Sequence, residues 1–181
     1  MNTFISMLRG INVSGQKKIR MQELRALYRL LGLDNVRSYV QSGNVIFDTP
    51  ESDPLQLAGA IQNQIQQTFG YAVPVFIRTP ADFQRIIAGN PFLAGRNEDP
   101  AKLYVTFLYQ PPSPDKLDAL AAPTQSSDEF VIGAQEIFLY CPTGYGRTKL
   151  SNQFFEKKLQ VPATTRNWKS VNALHTLALS S

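Results

Sequence analysis

Val36-Arg37-Ser38-Tyr39-Val40-Gln41-Ser42-Gly43-Asn44-Val45-Ile46-Phe47 is the stretch that decides the fold. Residues 36–40 and 45–47 are short β-branched and aromatic runs, and Ser42-Gly43-Asn44 between them is a turn signal, so the stretch predicts a hairpin. A helix is predicted on either side of it. Upstream, Met21, Leu24, Leu27, Tyr28 and Leu31 recur at helical spacing, Arg25 and Arg29 fall on the opposite side, and Gly32 is a stop signal. Downstream, Asp53 and Pro54 open a second helix as N-cap and first-turn proline, Leu57, Ile61, Ile65 and Phe69 form its apolar stripe, and Gly70 ends it. Residues 3–8 and 73–77 supply an outer strand at each end. Two adjacent strands enclosed by two helices give β-α-β-β-α-β, the split-βαβ or ferredoxin-like arrangement.

The rest of the chain repeats that order. Thr79-Pro80-Ala81-Asp82 resembles a capping box with aspartate in the glutamate position, and it starts a helix that stops near Asn90-Pro91. Residues 95–100 form a polar segment expected as a surface linker. A strand at 103–109 is followed by a proline-rich break at 110–114 and a helix carrying Leu117 and Leu120. Strands at 130–132 and 137–140 are joined by a Gly133-Ala134-Gln135 turn. A glycine loop, a helix with Leu150, Phe154, Phe155 and Leu159, a short strand at 163–166 and a last helix from Trp168 complete the chain. The expectation is therefore α+β, with two ferredoxin-like (alpha-beta plait) subdomains, each an antiparallel sheet with helices packed on one face. Residues 1–79 are expected to form the first plait, and residues 80–181 a second plait-like subdomain with extra helices.

Composition bounds the chemistry. With 43% hydrophobic and 18% charged residues among 181, the chain can bury a core. The apolar run at residues 4–8 is too short for a secretory signal and ends at Arg9. No run approaches membrane-spanning length, so no membrane partner is expected. One cysteine, Cys141, excludes an internal disulfide and makes a reducing, cytoplasmic setting the default expectation. One histidine, His175, beside that cysteine leaves no cluster for zinc, and no metal or cofactor is expected. The net charge of +4 is unevenly spread. Residues 9–37 hold seven basic groups against two acidic ones, residues 143–181 hold six against one, and residues 38–142 hold five against eleven. An anionic partner would meet the basic ends.

Gly144-Tyr145-Gly146-Arg147-Thr148-Lys149-Leu150-Ser151-Asn152 is the strongest candidate site. Glycines ahead of a helix let the backbone approach a ligand, and the first-turn amides attract anions. Arginine adds two-point hydrogen bonding to phosphate and lysine a point charge. The stretch is not a Walker loop, which needs lysine directly after the last glycine, and it lacks the third glycine of a dinucleotide fingerprint. Its structural alternative is a tight connection with unusual backbone angles. Arg9 and Asn12 sit past the end of the first strand, where Asn12 either reads a ligand or holds an Asx-turn. Asn44 either faces a groove or belongs to the hairpin turn. In Arg166-Asn167-Trp168, stacking on a nucleobase competes with a core role for Trp168 and an N-cap role for Asn167. Cys141 reads as a small buried hydrophobe, and no carboxylate pair recommends itself for acid–base work.

Leu8-Arg9-Gly10-Ile11-Asn12-Val13, Gln41-Ser42-Gly43-Asn44-Val45, Gly144 to Asn152 as quoted, and Thr164-Thr165-Arg166-Asn167-Trp168 together resemble the domain-of-unknown-function family 1697. The likeness spans about residues 3–179 with all four motifs in family order. It implies a bacterial protein with a pair of alpha-beta plaits, and it carries no agreed activity. Ser14 stands where a second glycine is common in the family.

Three functions are compatible with these residues. The first is binding of an anionic, phosphate-bearing ligand, whether a nucleotide, a nucleic acid or a small phosphorylated molecule. In that reading Arg9, Asn12, Asn44, Gly144, Tyr145, Gly146, Arg147, Lys149, Asn152 and Arg166 line the site, although the aromatic signature of RNA-binding plaits is absent. The second is an enzyme acting on a small anionic metabolite through Lys149, Arg147 and Tyr145. The third is a structural or interaction protein whose motifs lock the subdomains.

Overall fold

The computed structural model describes residues 1–180. Contacts divide the chain into two compact units, one of residues 1–85 together with the C-terminal stretch from Ala173, the other of residues 86–172. In the first, β1 (Asn2–Leu8), α1 (Met21–Leu30), β2 (Asp34–Tyr39), β3 (Asn44–Thr49), α2 (Pro54–Phe69) and β4 (Val75–Arg78) follow the expected order. The sheet is antiparallel throughout, ordered β2-β3-β1-β4. This is the ferredoxin-like order.

Local chemistry explains the elements. Asp53 caps α2, its carboxylate accepting from the N–H groups of Leu55 and Gln56, and Gly70 ends the helix at a left-handed φ of 76°. Leu24, Leu27 and Tyr28 of α1 and Leu57, Ala58, Ile61 and Ile65 of α2 are buried. Tyr28 carries a polar tip into this core, and Ser6 meets it there at 2.8 Å, so the buried phenol is hydrogen-bonded. Its ring packs edge-on against Phe47, 5.5 Å between centroids, and Phe4 packs on Phe47 from the neighbouring strand. The hairpin turn closes on Gly43, whose φ is 85° and whose carbonyl accepts from the Leu8 N–H at 2.9 Å.

The second unit repeats the pattern after α3 (Pro80–Ala88). The capping box is present: the Asp82 carboxylate accepts from the Thr79 N–H while the Thr79 hydroxyl accepts from the Asp82 N–H. Then come β5 (Leu103–Leu108), α4 (Pro114–Asp118), β6 (Glu129–Ile132), β7 (Glu136–Tyr140), α5 (Asn152–Leu159), β8 (Ala163–Asn167) and α6 (Trp168–Leu179). The sheet order is β6-β7-β5-β8, so β5 occupies the central place that β1 holds in the first sheet. The duplication is architectural.

Residues 95–100 run over the surface, as expected, and are held in place there. Arg96 pairs with Glu98 at 2.7 Å and Glu129 at 2.9 Å, and lies over the rings of Phe92 and Tyr140. The helix expected to include Leu150 begins two residues later, at Asn152, because Ser151 is its N-cap. By contacts, the first unit runs on to Arg85 and takes in the chain from Ala173. Arg37 of β2 donates to the Leu177 carbonyl at 2.6 Å and also to Ser180 O, which ties the last turn of α6 into the first unit. A cation at carbonyls left open by a helix C-terminus is favourable.

Two predictions follow from the packing. A Cβ at Gly43 would stand 2.8 Å from both Leu8 Cβ and Ile11 Cδ1, at a φ that side chains rarely adopt. Overpacking of this kind costs about 1–3 kcal/mol, with backbone strain in addition. Gly43→Ala should therefore lower the urea midpoint clearly, and an unchanged midpoint would refute the packing described. Burial pushes the Cys141 thiol up to about 11. At pH 8 the native protein should react with an aromatic disulfide reagent only as fast as it unfolds, whereas the denatured chain should react at once.

Candidate functional site

The glycine loop joins β7 to α5, and its own hydrogen bonds fix its path. The Gly144 N–H donates to Cys141 O at 3.0 Å, and Gly144 then takes a φ of 94°. Tyr145–Arg147 form one 3-10 turn, closed by the Thr148 N–H on Tyr145 O. Thr148 is the pin. Its hydroxyl donates to Asp128 Oδ2 at 2.6 Å and accepts from the Leu150 N–H at 3.0 Å. The turn and an extended stretch thus separate the glycines from α5, so the glycine amides do not form the helix N-terminus that the sequence suggested.

That N-terminus has its own chemistry. The Ser151 hydroxyl accepts from the Phe154 N–H at 3.2 Å, while the first-turn N–H groups of Asn152 and Gln153 have no partner inside the helix. Asn152 is held from behind. Thr165 of β8 donates to Asn152 Oδ1 at 2.6 Å and, its one hydrogen spent, accepts from Thr106 of β5 at 2.8 Å. This chain holds the Asn152 carbonyl toward the sheet, so the Nδ2 amino group projects away from it. Arg147 and Lys149 are exposed on either side of the pinned Thr148, and no carboxylate among the described residues engages either one. Tyr145 is half-buried, its ring 5.0 Å from that of Tyr104.

Strand alternation sorts the remaining candidates. Tyr104, Thr106 and Leu108 share the face of β5 covered by α5, and Thr165 lies on the same face of β8. Arg166 pairs with Val105 and projects from the opposite face. It is 8% exposed and donates to Thr164 Oγ1 at 2.8 Å and to Thr165 O at 3.0 Å. Burial pushes its guanidinium down to about 10, with Tyr145 the neighbour that favours the charge. Arg166 thus leaves the strand on the face opposite Thr165, yet its guanidinium lies close enough to the loop for Tyr145 to act on its charge. Asn167 caps α6, accepting from the Ser170 N–H at 2.8 Å, and Trp168 is buried.

In the first unit, Asn12 is spent internally. Its Oδ1 accepts from the Ile19 N–H, and its Nδ2 donates to Ile19 O at 2.9 Å and Gln41 O at 2.8 Å. Asn44, read either as part of the hairpin turn or as facing a groove, is fully buried and donates to Tyr39 O and Ser42 Oγ. The hairpin turn needs those bonds. Arg9 is half-buried, and its main-chain N–H donates to Pro74 O. Sequence reasoning missed Asp128, Thr106 and Thr165. Each stands in an ordinary polar or strand context, so only cross-strand pairing reveals its role.

Among the described residues, no group of three or more histidine, cysteine or acidic side chains could hold a metal ion, and no helix is long and apolar enough to cross a membrane. A search of the curated proteins finds no match. Among solved structures, the chain is similar to the conserved bacterial protein SP0830 from Streptococcus pneumoniae, with a TM-score of 0.72, 24% identity and 98% of each chain covered. That likeness shows the same α+β fold along the whole chain. The family model described as "Protein of unknown function (DUF1697)" matches residues 1–138, more than half of the sequence, and the chain belongs to that family.

Proposed function

We propose that the second unit binds a phosphate-bearing ligand, a nucleotide or a nucleic-acid strand, at the loop between β7 and α5. One observation carries the reading: Arg147 and Lys149 stand exposed beside a threonine that is itself pinned, and no internal carboxylate neutralises them. Fixed donors cost less to bring to an anion than mobile ones. Asn152 Nδ2 and the first-turn amides of α5 add neutral donors at a helix end that favours negative charge. Gly146 has an ordinary φ and open space where a Cβ would stand, so neither strain nor crowding within the chain calls for glycine there. Close approach of a ligand to the backbone would. The Tyr104–Tyr145 pair offers an aromatic surface on which a base can stack.

A structural role fits the first unit's motifs better, because Asn12 and Asn44 spend their amides inside the fold.

Calorimetry at low salt with inorganic phosphate, mononucleotides and a short oligonucleotide tests the reading. A charge-assisted hydrogen bond is worth about 1.5–3 kcal/mol, so Arg147→Ala and Lys149→Ala should each weaken binding roughly ten- to a hundredfold at 1.4 kcal/mol per decade. A strand contacting several phosphates should also lose affinity steeply as salt rises, whereas a mononucleotide should lose less. No binding by any of the three probes would end the proposal. For the first unit, Asn12→Ala should cost about 1–2 kcal/mol of stability, the penalty for stranding buried partners, and leave phosphate affinity unchanged. A loss of affinity without a loss of stability would return Asn12 to the ligand site.

A further inference from the structure

Asp128, at the entry to β6, is 8% exposed. Oδ2 accepts from Thr148, and the main-chain N–H of Asp128 donates to Ser126 Oγ at 3.1 Å. Oδ1 is fully buried, and no protein donor among the described residues reaches it. A buried carboxylate oxygen left in this state carries the full cost of its lost hydration, and such groups mark places where something outside the chain completes the bonding. Nearby residues decline the role. Arg147 and Lys149, the immediate neighbours of Thr148, both stay at the surface. Cys141, close enough for its thiol to feel the Asp128 charge, is kept protonated by burial and offers only a weak donor.

We infer that Asp128 Oδ1 is the acceptor for a cationic nitrogen, an ammonium or similar N–H group, carried by the same ligand whose phosphate lies on Arg147 and Lys149. The inference rests on the proposed phosphate site and, among phosphate-bearing ligands, favours esters that also bear a positively charged nitrogen over nucleotides and nucleic-acid strands. Electrostatics favour that class. A buried negative charge directly behind the loop opposes a purely anionic ligand and attracts a zwitterionic one, whose nitrogen replaces lost hydration while its phosphate takes the two cations. The proposal requires the segment before Asp128 to yield, and its bonding permits that. Residues 121–127 belong to no helix or strand, most are exposed, and the Ser126–Asp128 bond is the hydrogen bond that anchors them among the described residues. A segment held this lightly opens at low cost.

Asp128→Asn is the decisive variant, because an asparagine carbonyl still accepts from Thr148 while its amino group stands where Oδ1 stood. The matched probes are phosphoethanolamine and glycerol 3-phosphate, which share a phosphate monoester and differ in the ammonium. The native protein should bind phosphoethanolamine at least about tenfold more tightly, and Asp128→Asn should erase that gap, with affinity for glycerol phosphate undiminished or raised because the opposing charge is gone. Arg147→Ala should weaken both. Equal binding of the two probes by the native protein, or a gap that survives Asp128→Asn, overturns the inference and leaves the phosphate site standing. Failure of both probes while inorganic phosphate or a nucleotide binds overturns the inference alone, and failure of all of them overturns the phosphate site itself. Ethanolamine alone then isolates Asp128: a rise in melting temperature for the native protein and not for Asp128→Asn supports the acceptor role, and equal shifts overturn it. A near-ultraviolet circular dichroism spectrum matching the native one confirms that the variant is folded.

Discussion

Each sheet depends on a central strand bonded on both sides. In the second unit β5 pairs with β7 and β8, and its register fixes what each face carries. Because side chains alternate, pairing Thr106 with Thr165 and Val105 with Arg166 puts the threonines under α5 and the arginine on the other side. A slip of one residue would exchange the two faces. The hydrogen-bond chain from Thr106 through Thr165 to Asn152 exists only in the observed register. The orientation of the helix N-terminus is thus inherited from strand pairing.

The glycine loop shows how a connection becomes a positioned surface. Its bonds run inward, from Gly144 to Cys141 and from Thr148 to Asp128, while its charged side chains run outward. Inward bonds between neutral groups and one buried carboxylate hold the backbone without consuming the cations. Arg96 in the same unit is the contrasting case, taking both Glu98 and Glu129. Being so exposed, that cluster adds little stability, and its effect is to hold residues 95–100 against Phe92 and Tyr140. The two arginines, 96 and 147, have the same chemistry and opposite surroundings.

The loop after β1 and the hairpin of the first unit follow another logic. Asn12 stands at a φ of 55° and serves as a side-chain substitute for main-chain pairing, closing its loop onto Ile19 and Gln41. Gly43 is there because Leu8 and Ile11 leave no space for a Cβ. The family motifs 8–13 and 41–45 therefore meet each other through packing and hydrogen bonds, which accounts for Asn12, Gly43 and Asn44 without a ligand.

By itself the sequence determined the order of elements, the two plaits and most helix ends. These are local properties: an apolar period of two or 3.6, a capping aspartate at residue 53, a reciprocal Thr79–Asp82 box and a left-handed glycine at residue 70 act within a few residues of chain. It also placed the exposed cations at 147 and 149. Only the tertiary structure decided which polar groups were already spent. Asn12 and Asn152 look alike in sequence, yet the first gives both amide hydrogens to carbonyls and the second is turned outward by a strand neighbour. Asp128 and Thr148, twenty residues apart, become partners because β6 and β7 fold back on each other. Hydrogen bonds between distant residues are set by register and packing, and neither is written in the local pattern of the chain.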